Sequence, residues 1–267
     1  MTDRHVVLPK WLDDLIFQEL GAEYCRTCGD MTVIDWDRAD VLKYLGTYFP
    51  RSYAESFCIF KDYFLAYRND YVGREELSLF DFGCGTGGEI VGLLDALRTS
   101  LPHIRKLYIK AFDGNPHALQ LCEEVLGRYG RRSTIQIEAH PSAIEITDFY
   151  DLGVFGQILK RKFDLFISFK AICEFVTKQE FEEKNPYQHI VETFAPMMND
   201  QGRMCLVDVS SYSQVSQDWL PKMLDRGLSG LQTTQLMRNS GWNEAFRVSH
   251  SQRASDLSKV TWRIFGI

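Results

Sequence analysis

The 267-residue chain predicts an α/β fold: a mostly parallel sheet with an antiparallel edge hairpin, preceded by an N-terminal helical cap. Three observations lead there. From about residue 75 onward, short apolar runs alternate with helical spans, the pattern of strand–helix–strand units. The run FDLFISF (163–169) is apolar almost throughout, as in a strand covered on both faces. Two strand candidates close the sequence, AFRVSHS (245–251) and KVTWRIFGI (259–267), and the seven residues between them suit a hairpin.

Before residue 75 the apolar spacing is helical. Trp11, Leu12, Leu15, Ile16 and Leu20 mark a first helix. Val41, Leu42, Leu45 and Tyr48 mark a second, and Tyr53, Phe57, Phe60 and Phe64 a third after Pro50. Residues 1–74 are therefore expected to form a cap, and 75–267 an α/β domain. Within the domain, LSLFDFG (77–83) reads as a strand ending in glycine, followed by a helix over 89–101. LYIKAFD (107–113) is the next strand, with a helix over 117–129, and STIQIE (133–138) a third strand. After FDLFISF, a helix over 187–198 precedes the strand GRMCLVDVS (202–210).

Composition narrows the class. Hydrophobic residues make up 45% and charged residues 25%, which argues against a disordered or fibrous chain. The net charge of −6 argues against a generic nucleic-acid coat. The charge is uneven: residues 222–267 hold seven Lys/Arg against three Asp/Glu, and the rest hold 23 against 33. No apolar run approaches the ~18 residues of a membrane span, and the first residues lack an apolar signal core. The expectation is a cytoplasmic protein with no membrane partner. The seven cysteines are Cys25, Cys28, Cys58, Cys84, Cys122, Cys173 and Cys205, an odd and scattered set unlike a disulfide framework. Cys25-x-x-Cys28 with His5 falls short of the four ligands of a structural zinc site, so no metal is expected.

The sharpest local signal is FDFGCGTGGEI (80–90), which leaves a strand and opens a helix. Its glycines allow a tight turn and close backbone approach to a ligand, and the helix start presents free N–H groups. Gly83, Gly85 and Gly88 fit the dinucleotide pattern G-x-G-x-x-G. Asp81, Gly83, Gly85 and Gly87 fit D-x-G-x-G-x-G. Asp81 favours a cationic ligand and would repel a pyrophosphate. Downstream, FDGNPHAL (112–119) sets Asp113 at a strand end, where a carboxylate can accept from a ribose diol. Asn115-Pro116 then starts a helix. Gly83 and Asp113 are 30 residues apart, against the usual ~20.

The D-x-G-x-G-x-G run resembles motif I of class I S-adenosylmethionine-dependent methyltransferases, and Asp113-x-Asn115-Pro116 resembles their post-I segment. The resemblance covers residues 75–267. It implies a Rossmann-like sheet of seven strands with the last inserted antiparallel, and S-adenosyl-L-methionine as cofactor. That donor carries a sulfonium and an ammonium but no phosphate, which suits Asp81. The implied cofactor-binding residues are Asp81, Gly83, Cys84, Gly85, Gly87, Asp113, Gly114, Asn115 and Ser168. Adenine is expected near the end of the third strand, where Glu138, His140, Ser142 and Ile144 are candidates. Residues after FDLFISF are expected to face the acceptor, so Lys170 and Glu174, with His140, are the candidate catalytic groups. Ser168-Phe169-Lys170-Ala171 stands where many amino-group base methyltransferases carry N/D-P-P-Y, which counts against methylation of DNA bases.

A narrower resemblance lies in YLGTYFPRSYAESFCIF (44–60), FISFKAICEF and LVDVSS. These look like methyltransferase-like proteins associated with the mitochondrial small ribosomal subunit and their bacterial relatives, with Arg51, Tyr53, Ala54 and Glu174 at matching positions. The cysteine cluster of that family is missing, and Val207-Asp208-Val209-Ser210 replaces its Glu-Pro-Gly. Arg51 and Tyr53 are candidate substrate-side residues, Arg51 as a bidentate partner for the donor's carboxylate. The aromatics of residues 44–64 serve either as the core between cap and sheet or as a cover over donor and substrate. The expected function is methyl transfer to a small-molecule acceptor. The alternatives are an RNA or ribosome-associated methyltransferase, a protein methyltransferase, a non-catalytic donor-binding scaffold and a nicotinamide-dependent oxidoreductase.

Overall fold

A computed structural model describes residues 4–25, 36–175, 184–210, 212–213, 218–229 and 237–267. The central sheet has eight strands rather than seven. In chain order its strands are β1 (His5–Val7), β2 (Glu76–Phe82), β3 (Lys106–Asp113), β4 (Gln136–Ala143), β5 (Phe163–Phe169), β6 (Met198–Val209), and two long strands beyond a separate two-strand pair, β7 (Tyr212–Ser213) and β8 (Asp218–Trp219). The long strands are β9 (Met237–His250) and β10 (Arg253–Gly266). The spatial order is β1-β9-β10-β6-β5-β2-β3-β4. Strands β2 to β6 pair in parallel, and β10 runs antiparallel to both β6 and β9. Seven strands with the last in sequence inserted antiparallel is the arrangement of the class I methyltransferase fold. The eighth, β1, pairs in parallel with β9, so the segment 1–74 is not wholly helical.

The hairpin is longer than expected. Only Ser251 and Gln252 separate β9 from β10, because the polar segment 253–258 continues the ladder with Asp256 opposite Val248 and Ser258 opposite Phe246. β4 begins three residues later than expected and runs to Ala143. It includes Pro141, which an edge strand tolerates because one side of its ladder is unpaired.

Helices cover both faces. Before β2 lie a single turn α1 (Lys10–Asp13), which continues as a π-helical turn to Glu19, and α2 (Arg38–Ala66). α2 is one 29-residue helix, not two broken at Pro50. Proline removes one backbone hydrogen bond, but Val41, Leu45, Phe49, Tyr53, Phe60 and Phe64 are buried along one stripe, and that burial outweighs the loss. Asp37 caps its start, accepting from the N–H groups of Ala39 and Asp40. α3 (Gly88–Ser100) lies along α2. A Cβ at Gly92 would stand 2.4 Å from the Tyr53 carbonyl oxygen, so only glycine lets the two backbones meet there. α4 (Pro116–Gly130) completes this face. The other face carries α5 (Gly153–Ile158), α6 (Ile172–Phe175), α7 (Pro186–Phe194) and α8 (Leu220–Ser229).

Strand alternation divides the core. Leu79, Ile109, Ile167 and Val207 face α2, α3 and α4. Phe80, Phe82, Phe112, Phe166 and Leu206 face α5, α7 and α8. Among the described residues, no helix is long and apolar enough to cross a membrane.

Candidate functional site

The site is built where β2, β3 and β5 end. After Phe82 the chain turns back on β3: the N–H groups of Gly83 and Cys84 both donate to the Phe112 carbonyl, at 2.9 and 2.8 Å. Gly83 has φ 77°, and a Cβ there would lie 2.3 Å from the Ala171 Cβ. Gly85 has φ 47°, and its missing side chain leaves room for the Tyr44 hydroxyl 3.0 Å away. Both positions therefore demand glycine on conformational and steric grounds. Gly87 precedes the first turn of α3.

Asp113 ties this turn down. Its Oδ2 accepts from the Gly85 N–H at 2.8 Å, and its Oδ1 accepts from the Asn115 N–H at 2.8 Å. Burial pushes the Asp113 carboxyl up, and the N–H groups of Asn115, Gly85 and Gly114 oppose that rise. These N–H groups leave part of the roughly four acceptor sites of the carboxylate for a ligand's hydroxyls. Asn115 caps α4 through its side-chain oxygen, and its Nδ2 donates to the Trp36 carbonyl. Trp36, Tyr44 and Tyr48 form a chain of ring contacts beside the turn. Phe49, Tyr53, Phe60, Tyr63 and Phe64 lie in the core. The aromatic segment thus supplies core along one face of α2 and lies beside the turn along another.

Asp81 is fully buried, and neither of its oxygens meets a donor among the described residues. Burial and then repulsion from Glu89 push its carboxyl well above the usual range. Glu89, in the first turn of α3, is also buried, and its carboxyl is pushed up to about 8, chiefly by burial. Beside them Lys170 donates to Glu55 Oε2 at 2.7 Å, while Glu55 Oε1 has no partner among the described residues. Lys170 adopts φ 58°, a strained position for a non-glycine residue. Glu174 lies on α6 beside these groups, and its carboxyl is pushed up to about 8, first by desolvation and then by Asp208. Asp208 itself accepts from the Tyr187 hydroxyl at 2.8 Å.

The structure brings together Asp81, Gly83, Gly85, Gly87, Asp113, Gly114, Asn115, Lys170 and Glu174. Cys84 is in the turn, but its thiol packs inward onto Cys122. Only its backbone is available to a ligand. Ser168 is buried with a hydroxyl that has no partner among the described residues, and strand alternation places it on the opposite face from Asp81. Arg51 is paired with Asp256: its Nε and Nη2 donate to the two carboxylate oxygens at 2.7 and 2.8 Å. Tyr53 is buried between α2 and α3, and donates to Asp95 at 2.7 Å. The longer β4 also moves the adenine candidates. Glu138 and His140 lie mid-strand and bond each other, Ser142 accepts from Lys110, and Ala143 rather than Glu138 stands opposite Asp113. Ile144 follows, donating its N–H to the Asp113 carbonyl.

Glu89, Glu55 and Asp208 are not among the residues the sequence singles out. A lone carboxylate in the apolar run EIVGLL, and another on the buried stripe of α2, were the available signals. Among the described residues, no group of three or more His, Cys, Asp or Glu could hold a metal ion. Cys28 lies outside the described residues, and His5 is bonded to Ser249.

The buried carboxylate of Asp81, without a donor among the described residues and beside the glycine turn, fits a cationic nucleoside such as S-adenosylmethionine. The same arrangement disfavours a pyrophosphate.

No protein-family model matches the chain, and no curated protein matches it. Solved structures do resemble it. One is a protein assigned as a class I S-adenosylmethionine-dependent methyltransferase from Listeria monocytogenes, 10% identical, with a TM-score of 0.46 over 88% of this chain and 62% of that one. TrmN from Thermus thermophilus is 15% identical, with a TM-score of 0.41 over 82% of this chain and 52% of its own. The magnesium protoporphyrin IX methyltransferase of Synechocystis, solved with its methyl donor bound, is 10% identical, with a TM-score of 0.45 over 96% and 90%. The chain thus spans less than two thirds of the first two.

Proposed function

We propose that the protein is an S-adenosylmethionine-dependent methyltransferase whose acceptor is a small molecule. Residues 75–267 form the donor-binding domain, and 1–74 form its cover. The observation that carries the reading is Asp81, a fully buried carboxylate without a donor among the described residues, beneath a turn whose Gly83, Gly85 and Gly87 all take positive φ. When bound, the donor supplies an electrophilic methyl group on a sulfonium. The chain's own groups bind and orient. Asp113 and Asn115 hold the glycine turn in shape, Asp81 meets positive charge, and Tyr44 with Trp36 covers the mouth. Lys170 is held by Glu55 and is a poor candidate for a base. Glu174, held near 8, can accept or return a proton close to neutral pH if the acceptor must lose one.

Isothermal titration with S-adenosylhomocysteine tests the donor reading: wild type binds and Asp81→Ala does not. Silence from the wild type at millimolar ligand sinks it. Donor binding without methyl transfer into any separated cell fraction favours a non-catalytic scaffold.

One observation supports RNA as a second acceptor class. Arg238, Arg247, Arg253 and Lys259 are exposed along the β9–β10 hairpin, within the basic stretch 222–267. An RNA acceptor would bind with affinity falling steeply as salt rises, and a neutral small molecule would not.

A further inference from the structure

A deeper reading of the site concerns how it accommodates positive charge, and it rests on the donor-binding proposal above. Asp81 and Glu89 are both buried, and their side chains face each other. Neither Asp81 oxygen finds a donor among the described residues. Between two carboxyl groups, the only available hydrogen bond is one made by a proton that one of them carries. Glu55, a third buried carboxylate, stands on the same side of the sheet. Its Oε2 takes the Lys170 ammonium at 2.7 Å.

Among the described residues, the other titratable groups around the pair supply no cation besides Lys170. They are Cys84 in the turn, Asp113 at the end of β3, Cys122 on α4, Cys205 on β6, Glu174 on α6 and Tyr44 on α2. Three buried carboxyl groups against one ammonium do not all stay ionised without a ligand. The N-terminus of α3 favours charge on Glu89, but burial outweighs it, holding that carboxyl near 8.

We propose that Glu89 is the second carboxylate of a cation site for the donor's ammonium, and that Asp81 and Glu89 share a proton which leaves when that ammonium binds. S-Adenosylhomocysteine keeps the ammonium and lacks the transferable methyl, so it probes the site without reaction. The sign follows from linkage. Binding needs the ionised pair, so affinity falls as pH drops below about 8, by roughly tenfold per unit once well below it. From pH 8 to pH 6 the expected loss is about 50-fold.

The test is titration of the full chain with S-adenosylhomocysteine at pH 7, in phosphate and in Tris, whose ionisation enthalpies differ. The wild type is expected to release about one proton per ligand bound. Glu89→Gln is expected to release less than half as much. Equal binding heats in both buffers with affinity intact would overturn the proposal, as would undiminished release by Glu89→Gln. If that variant does not fold, the wild type alone decides: a dissociation constant unchanged between pH 6 and 8 overturns the proposal. Absence of any binding at either pH would remove the donor-binding reading instead.

Discussion

Replacing Lys170 with methionine removes the ammonium that Glu55 Oε2 meets at 2.7 Å, and leaves a fully buried carboxylate with neither oxygen paired. Breaking a buried ion pair from one side typically costs about 3–5 kcal/mol, because an uncompensated charge remains. Unfolding entropy near the melting point is about 2.1 cal/mol/K per residue, so a chain of 267 residues changes by roughly 0.6 kcal/mol per degree. Lys170→Met should therefore melt about 5–9 °C below wild type. Glu55→Gln should lose less, since the Lys170 side chain is 15% exposed and its ammonium can rehydrate. The double variant should recover most of the loss, because both charges are gone. Lys170→Gly adds a control: it lacks the pair but takes φ 58° without strain, so it should sit about 1 kcal/mol above an alanine there. Thermal and urea unfolding of the set, read as a double-mutant cycle, gives the answer. A Lys170→Met variant within about 1 kcal/mol of wild type, with no coupling to Glu55→Gln, would refute the reasoning.

Three further outcomes can be checked. Gly83→Ala combines φ 77° with a Cβ 2.3 Å from that of Ala171, so it should destabilise by more than about 1 kcal/mol and abolish S-adenosylhomocysteine binding; wild-type affinity would contradict the geometry of the turn. Tyr53→Phe removes one donor to buried Asp95, which keeps Tyr129 at 2.9 Å; calorimetry should show a loss of about 1–2 kcal/mol with donor affinity unchanged, whereas a large affinity loss would return Tyr53 to the ligand site. His250 stacks on Phe17, and burial pulls its imidazole below the usual range. The unfolded chain therefore takes up the proton first, and stability should fall as pH drops below about 6.5, by at most ~1.4 kcal/mol per unit from this group. His250→Phe should flatten that slope in acid titrations followed by circular dichroism.

The strand–helix alternation and the apolar character of β5 were legible because they express burial on both faces of a sheet, a property of local composition. The glycine turn and Asp113 were legible for a related reason: conformation and ligand approach restrict which residues can occupy such a turn. The fate of Arg51 was not. Its partner, Asp256, is 205 residues away, and nothing in the segment PRSYAES indicates which carboxylate its fork will meet. Pro50 misled for the opposite reason, since a local rule about proline was overridden by tertiary burial of the helix on either side. The extent of β4 and of the hairpin was hidden by polar residues, which edge strands accept on their exposed faces. Glu89 lay in plain view as a helix-start carboxylate. Its meaning depends on Asp81 lying against it, and that contact arises only when β2 and α3 meet across the turn.

The short strand β1 has a consequence for the order of assembly. His5 bonds Ser249, 244 residues along the chain, and the Leu8 N–H reaches the Ser249 carbonyl. Asp13 holds both the backbone N–H and the hydroxyl of Ser251. None of these partners exists as a docking edge until β9 and β10 have formed their ladder. The first strand in the sequence is therefore among the last to find its place, and the loop it closes is nearly the longest the chain offers. During synthesis it waits, unpaired, for a template made 244 residues later. In the finished molecule, its few hydrogen bonds should be the first of the main sheet to exchange with solvent.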